Sequence, residues 1–462
     1  MAYKWHRPKA QKSRDDLTLK PGSMSWPRGL FALAICVLLI AGFPGFNSDS
    51  TASTPDPAPP PTESPSFLSK QMSLSQTLLA LARAPQPARL WTNYVGDEAC
   101  LACHQDKVNS YHRTAHHLTS SWPTKDSIHG SFSPDSNILK TRNPNLFFEM
   151  QSNEDGFFQT AVLNNSAGEV RSHTERFGVV VGSGRKGQTY LYWHHDQLYD
   201  RDELFELPVS YWVERGIWMN SPGLVEFPDG TANFTRPATQ RCLECHTTAF
   251  KWLEPAGSRF NQFNKTDLVL GITCEKCHGP GGEHIARYRS TTPPTSSAMA
   301  AIINPARLSR DRQMDVCALC HAGRGNELVP ALSFKPGDVL SNDLELAMPG
   351  PDTHVDVHAN QVQLLERSRC FQSSPTMTCV TCHDVHVPQR DIKAMAARCL
   401  TCHRIESCGT FPKLGHVIDD QCVFCHMPLQ KTEKILAGAE ELRFQPSVRN
   451  HQIAIYPEIH LP

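Results

Sequence analysis

Seven short stretches of this 462-residue chain share one pattern: two cysteines separated by two residues, followed at once by histidine. They are Cys100/Cys103/His104, Cys242/Cys245/His246, Cys274/Cys277/His278, Cys317/Cys320/His321, Cys379/Cys382/His383, Cys399/Cys402/His403 and Cys422/Cys425/His426. Two thiols at this spacing can each add to one vinyl group of a single haem. The histidine that follows then lies under the iron as its proximal ligand. At the chain's own Cys and His frequencies, chance predicts roughly 0.03 such motifs. A zinc ribbon uses paired cysteines but does not require a histidine after every second one, and a disulfide scaffold fixes neither spacing. The expectation is seven covalent c-type haems, which consume fourteen of the 17 cysteines.

The sixth ligand of each iron decides between electron carrier and catalyst. Fifteen histidines lie outside the motifs. Six stand where they can serve as distal ligands: His116, His284, His358, His386, His416 and His451. His386 follows His383 by three residues and cannot cross the porphyrin that His383 holds, so it is expected on a neighbouring haem. The same argument applies to His284, which follows His278 through a Gly-rich reversal. The seventh iron is left with His194, His195 or His354, or with an open face. For any single histidine a surface or capping role is the plain alternative.

These positions require elements around them. Six motifs fall between residues 242 and 426, roughly 30 residues per haem, too few for a separate apolar core around each. The expected fold is therefore mainly α, with sparse regular structure wrapped around the seven haems, plus a small β-rich insertion over 131–238. The insertion is read from runs such as Gly178–Gly182 and Thr189–Trp193 separated by turn residues. The boundaries expected are a basic N-terminus 1–28, an apolar segment 29–46, a Pro/Ser-rich tether 47–88, a first haem module 89–130, the insertion, a six-haem region 239–455 and a tail 456–462. A short helix is expected within 67–84.

The apolar run Gly29–Phe46 follows a flank rich in Lys and Arg, which places the N-terminus in the cytoplasm and the rest on the periplasmic side. A cleaved signal peptide and an uncleaved anchor both fit, and the long basic region favours the anchor. Cys36 in this run reads as a small apolar residue. Cys370 and Cys408, the remaining exported cysteines, are expected to pair as a disulfide. The formal net charge of −1 gives no argument for nucleic-acid binding. Each ferric bis-His haem with ionised propionates would add about −1.

Four stretches, Tyr94-Val-Gly-Asp-Glu-Ala-Cys100-Leu-Ala-Cys103-His104, Cys274-Glu-Lys-Cys277-His278-Gly-Pro-Gly-Gly-Glu-His284, Cys379-Val-Thr-Cys382-His383-Asp-Val-His386 and Cys422-Val-Phe-Cys425-His426-Met-Pro, resemble the cytochrome c-554-type multihaem family. That family is related to hydroxylamine oxidoreductase and pentahaem nitrite reductase. The resemblance spans roughly 92–130 and 236–455 and implies close haem pairs with mostly bis-His iron. Some relatives keep one five-coordinate haem and act on nitrogen or sulfur oxyanions. This chain carries no Cys-x-x-Cys-Lys motif and no firm counterpart of the tyrosine cross-link of hydroxylamine oxidoreductase. The expected activity is electron transfer between redox partner proteins, other cytochromes or a quinol-linked donor. The alternatives are an oxidoreductase with one open haem acting on a small oxyanion or hydroxylamine, and a binding module in which the insertion docks a partner.

Overall fold

The computed structural model describes residues 93–164, 169–224, 232–254, 259–290, 302–323, 325–347, 349–350, 353–438 and 443–459. The basic flank, the apolar run with Cys36, the tether and the segment 67–84 lie outside these residues, as do His6 and His460. Among the described residues no helix is long and apolar enough to cross a membrane.

The expectation of a mainly α chain fails. The described residues form 11 α-helices and 16 strands, and most of the helices are one or two turns long. The physical reason is local. A Cys-x-x-Cys-His unit needs only about one helical turn to present both thiols and the imidazole. The third motif is accordingly a helix of five residues (Cys274–His278), and the fifth a helix of four (Cys379–Cys382). Strands, not long helices, supply most of the frame between them.

The segment 131–238, joined by the short strand Ser120–Ser121 before it, forms two antiparallel sheets and a hairpin. The strands in chain order are β1 (Ser120–Ser121), β2 (Ile138–Lys140), β3 (Leu146–Asn153), β4 (Gly156–Asn164), β5 (Val170–Arg176) and β6 (Val179–Val181). They continue with β7 (Thr189–Asp196), β8 (Arg201–Glu206), β9 (Val209–Trp212) and β10 (Ile217–Asn220). One sheet runs β2-β3-β4-β5, the other β1-β6-β7-β8, and β9 pairs with β10. In β3 the alternation is clean: Leu146, Phe148 and Met150 are buried while the residues between them are partly exposed. These three pack against Phe177, Val180, Tyr190 and Tyr192 in one apolar cluster. Buried polar groups are satisfied inside it. Gln159 donates to the Val209 carbonyl and accepts from its amide, at 3.1 and 3.0 Å, and the Tyr192 hydroxyl donates to the Phe234 carbonyl at 2.6 Å.

The second sheet is buried on its other face as well. Val179, Leu191 and Leu204 pack with Phe250, Phe263 and Leu268 of the ribbon β11 (Thr247–Trp252) and β12 (Phe263–Leu270). Leu243, inside the second haem motif, joins the same cluster at 1 % exposure. The β-rich segment is thus continuous with the haem region and forms the wall that carries the second motif.

Candidate functional site

The first and third motifs are locked together by backbone amides. Glu275, between the two cysteines of the third motif, is 2 % exposed. Its carboxylate accepts from the amides of Val95, Gly96 and Gly281 at 3.0, 2.9 and 2.8 Å. Asp97 accepts from the Cys274 amide at 3.0 Å. Two of the four stretches that carry the family resemblance, 180 residues apart in sequence, therefore form one unit.

The end of the first module is held from the other side. The Ile272 amide donates to the His116 carbonyl at 3.0 Å, and the Ser120 hydroxyl donates to the His246 carbonyl at 2.5 Å. Gly271 makes this crossing possible. Its φ is +71°, and a Cβ there would collide with the His117 carbonyl oxygen.

These contacts gather the motifs around one connected cavity of about 3660 Å³. That is several times the roughly 300–1,000 Å³ of an ordinary ligand pocket. The cysteines and histidines of the first five motifs line it, together with Cys399 of the sixth. So do His116, His284, His358, His386 and His451, but not His416.

Histidine rings face one another across this space in pairs, each joining a motif histidine to a histidine outside the motifs. Ring centroids of His104 and His284 lie 6.5 Å apart, with 24° between planes. His278 and His386 lie at 6.1 Å and 26°, and His383 and His451 at 6.3 Å and 26°. His116 and His321 lie at 6.0 Å, nearly perpendicular at 84°. His358 is an electrostatic neighbour of His246. A metal held about 2 Å from a nitrogen of each ring places two imidazole centroids about 6 Å apart. Rings in direct stacking contact are closer, as His112 and His117 are at 4.1 Å. The donor set, the gaps and the cavity all fit haem.

The second ring nitrogen is engaged in most of these groups. Nδ1 lies 2.8 Å from the Ile303 carbonyl in His278 and 2.7 Å from the Ala454 carbonyl in His426. In His246, His383 and His321 it lies 3.0, 3.0 and 3.3 Å from the side-chain oxygens of Thr119, Gln389 and Gln361. An Nδ1–H donated to oxygen fixes the tautomer that presents Nε2 to a metal. Sequence reasoning missed these partners. Gln389 lies six residues after His383, but nothing in its type marks it as a support.

Burial favours the neutral, ligating form of the rings. It pushes His116 and His451 down to about 4, with a further lowering from neighbouring histidines, and it also lowers His246, His321, His284 and His386. The sign follows from proton counts. Between about pH 4 and the ordinary 6.5, the unfolded chain binds protons at His116 and His451 that the folded chain does not. Stability is therefore full above about 6.5 and falls as pH drops toward 4, by on the order of 3 kcal/mol for each ring. Denaturant midpoints at pH 7, 5.5 and 4.5 should decline in that order, and a flat series would show that these rings are not buried as described.

Thiols of different motifs also meet. Cys100 neighbours Cys274, Cys245 neighbours Cys320, Cys317 neighbours Cys379 and Cys399 neighbours Cys422. Cys277 is an electrostatic neighbour of Cys317, and Cys382 of Cys399.

The sixth and seventh motifs stand apart. Cys402 and His403 are exposed. Among the described residues neither His403 nor His426 has a second imidazole facing it. His416 is exposed, with Nδ1 3.2 Å from Asp419. His194 packs against Phe205, His195 is exposed beside Asp200 and Asp202, and exposed His354 pairs with Glu433. None of these three meets a motif histidine.

The expected disulfide is corrected as well. Cys370 and Cys408 are free thiols. Cys370 neighbours Cys382 and Cys399, whereas Cys408 neighbours Cys422 and Cys425 and hydrogen bonds with Thr410. Each packs against a different motif, and so they do not meet.

No curated protein matches this chain. Among solved structures, one titled as the crystal structure of the outer cell wall cytochrome OcwA aligns with a TM-score of 0.47 and 17 % identity, covering 78 % of this chain and 80 % of that one. A family model described as cytochrome c554 and c-prime matches residues 229–279. That stretch contains the second and third motifs, so the match falls on the haem-binding residues themselves and supports a multihaem c-type cytochrome with a role in electron transfer.

Proposed function

We propose that the chain is a seven-haem electron carrier on the periplasmic side of a membrane, tethered by its N-terminal segment. The observation that carries this reading is the set of histidine rings facing one another about 6 Å apart across the cavity. In it, His284 is the distal ligand opposite His104, His358 opposite His246, His386 opposite His278, His116 opposite His321 and His451 opposite His383. His416 is proposed for the sixth motif. Its exposed ring makes it the weakest of the six. Haem supplies a one-electron iron couple, and the chain tunes each potential by axial ligand, burial and hydrogen bonding.

The thiol contacts support an order for the motifs. The first neighbours the third, the third the fourth, the fourth the fifth, the fifth the sixth and the sixth the seventh. The second branches from the fourth through Cys245 and Cys320. Electrons would run along this series between the first motif, where Cys103 and His104 are exposed, and the sixth and seventh, with redox proteins or a quinol-linked donor at the ends and no role for nucleic acid.

A second reading stands on His403 and His426, which have no facing imidazole among the described residues. An open iron at either would allow oxidoreductase chemistry on a small nitrogen or sulfur oxyanion or hydroxylamine. Intact mass of the purified holoprotein tests the basis of both. Seven haem additions are expected, one for each motif, and six or fewer after full maturation would contradict the motif reading.

A further inference from the structure

We propose that Glu275 and Lys276, the two residues between the cysteines of the third motif, bias electrons away from the first haem and toward the fourth. Glu275 holds the first potential low and Lys276 raises the fourth. This bias rests on the reading of the motifs as haem sites and gives that carrier a direction.

Two opposite charges stand side by side in Cys274-Glu275-Lys276-Cys277. One helix of five residues, Cys274–His278, carries both. Neighbouring residues on a helix point about 100° apart, so the two side chains meet different surroundings. Glu275 faces the first motif. Its carboxylate accepts from the Val95 and Gly96 amides at 3.0 and 2.9 Å, and with Asp97 it is an electrostatic neighbour of Cys100. Lys276 turns elsewhere. Its Nζ donates to the carbonyl of Thr248, just past the second motif, at 3.5 Å, and it is an electrostatic neighbour of Cys320 in the fourth.

Neither charge is cancelled by the chain. Among the described residues, Glu275 is met by backbone amides and by no cation within ion-pair reach. Lys276, which is half-buried and lines the cavity, is met by one carbonyl and by no carboxylate. Arg241 and Glu244 also stand near Cys320, but they are bonded to each other and offset one another. The balance is one positive charge at the fourth motif and two negative ones, Asp97 and Glu275, at the first. On the third haem the adjacent pair offsets itself.

The sign follows from Coulomb's law. Reduction adds an electron to the haem, so a fixed cation nearby favours the reduced form and a fixed anion the oxidised form. A unit charge about 10 Å away at an effective dielectric near 20 changes the reduction equilibrium by on the order of tenfold. The exposure of Cys103 and His104 acts in the same direction, since contact with water favours the ferric haem.

A redox titration of the holoprotein followed by EPR tests the bias. The ferric signals of the first and fourth haems are those that His284→Ala and His116→Ala remove. Their ring planes stand at 24° and 84°, so the two signals differ in shape. In the wild type the fourth signal should vanish at a higher potential than the first. Lys276→Gln should lower the fourth haem's reduction equilibrium by about tenfold, about 59 mV for one electron, and move the first by less. Lys276→Arg keeps the charge and should stay within about twofold of wild type. Intact mass counts the haems of each protein separately, so a failure of the haem reading is distinguished from a failure of the bias. Reduction of the first haem before the fourth in the wild type overturns the proposal, and decides it even if Lys276→Gln does not mature. So does an unchanged fourth midpoint in fully loaded Lys276→Gln, the result expected if a haem propionate neutralises Lys276.

Discussion

Replacing His386 by alanine is expected to turn one low-spin haem high-spin while leaving every covalent attachment in place. His386 follows the fifth motif, yet its ring faces His278 of the third at 6.1 Å. The affected haem should therefore be the one held by Cys274, Cys277 and His278. Attachment depends on those cysteines and not on the distal ring, so the mass should fall only by the side-chain difference. The backbone has reason to stay put, since the amide of residue 386 donates to Asp384 at 3.0 Å irrespective of its side chain. The predicted readout is one new high-spin ferric signal and loss of one low-spin signal in the EPR spectrum. An unchanged spectrum would show that His386 is not a ligand.

The second large effect is expected at Glu275. Its carboxylate receives three backbone amides and is shielded from water. Glu275→Ala would leave those donors without partners, at about 1–3 kcal/mol each before relaxation. The damage should also be specific. The clamped amides lead into the first motif at one end and into the helix Gly282–Arg289, which carries His284, at the other. His104 and His284 should lose their mutual placement before other pairs do. A chemical denaturation midpoint well below wild type, together with selective high-spin conversion of the first haem, is the expected result. Glu275→Gln keeps an oxygen acceptor and should recover part of both. A wild-type midpoint in Glu275→Ala would show that the two motifs are held together by something else.

Much of the site could be read in the sequence because covalent haem chemistry is written locally. Two thiols and a histidine must stand within five consecutive residues, and the argument that His284 and His386 cannot reach their own irons is equally local. Where each distal ring goes is not local. His116 faces His321 across about 200 residues of sequence, because the Ile272 amide and the tight passage at Gly271 fix the backbone there. Nothing in the spacing of His116 from His104 encodes that crossing.

The β content shows the same division. Alternation in Leu146–Met150 marks a strand facing a core, and β3 is that strand. The ribbons within the haem region leave little trace. β11 and β12 pair with two shifts of register, and Gly325–Glu327 is a strand of three residues with no apolar pattern. Such strands are held by their partners more than by their own composition, which is why a chain expected to be mainly α has 16 strands among its described residues. The thiols of Cys370 and Cys408 carry the same lesson: flanking the same motifs in sequence does not bring two side chains together.

The central claim is that most of the irons are held between a motif histidine and an imidazole from elsewhere in the chain. Near-infrared magnetic circular dichroism of the fully oxidised holoprotein, with haem quantified per chain, tests it most directly, since bis-imidazole low-spin ferric haem is counted as such. The account predicts at least five bis-imidazole haems per chain, one for each of the pairs at His104, His246, His278, His321 and His383. Fewer than five, with the balance high-spin or bound through another ligand, would contradict it.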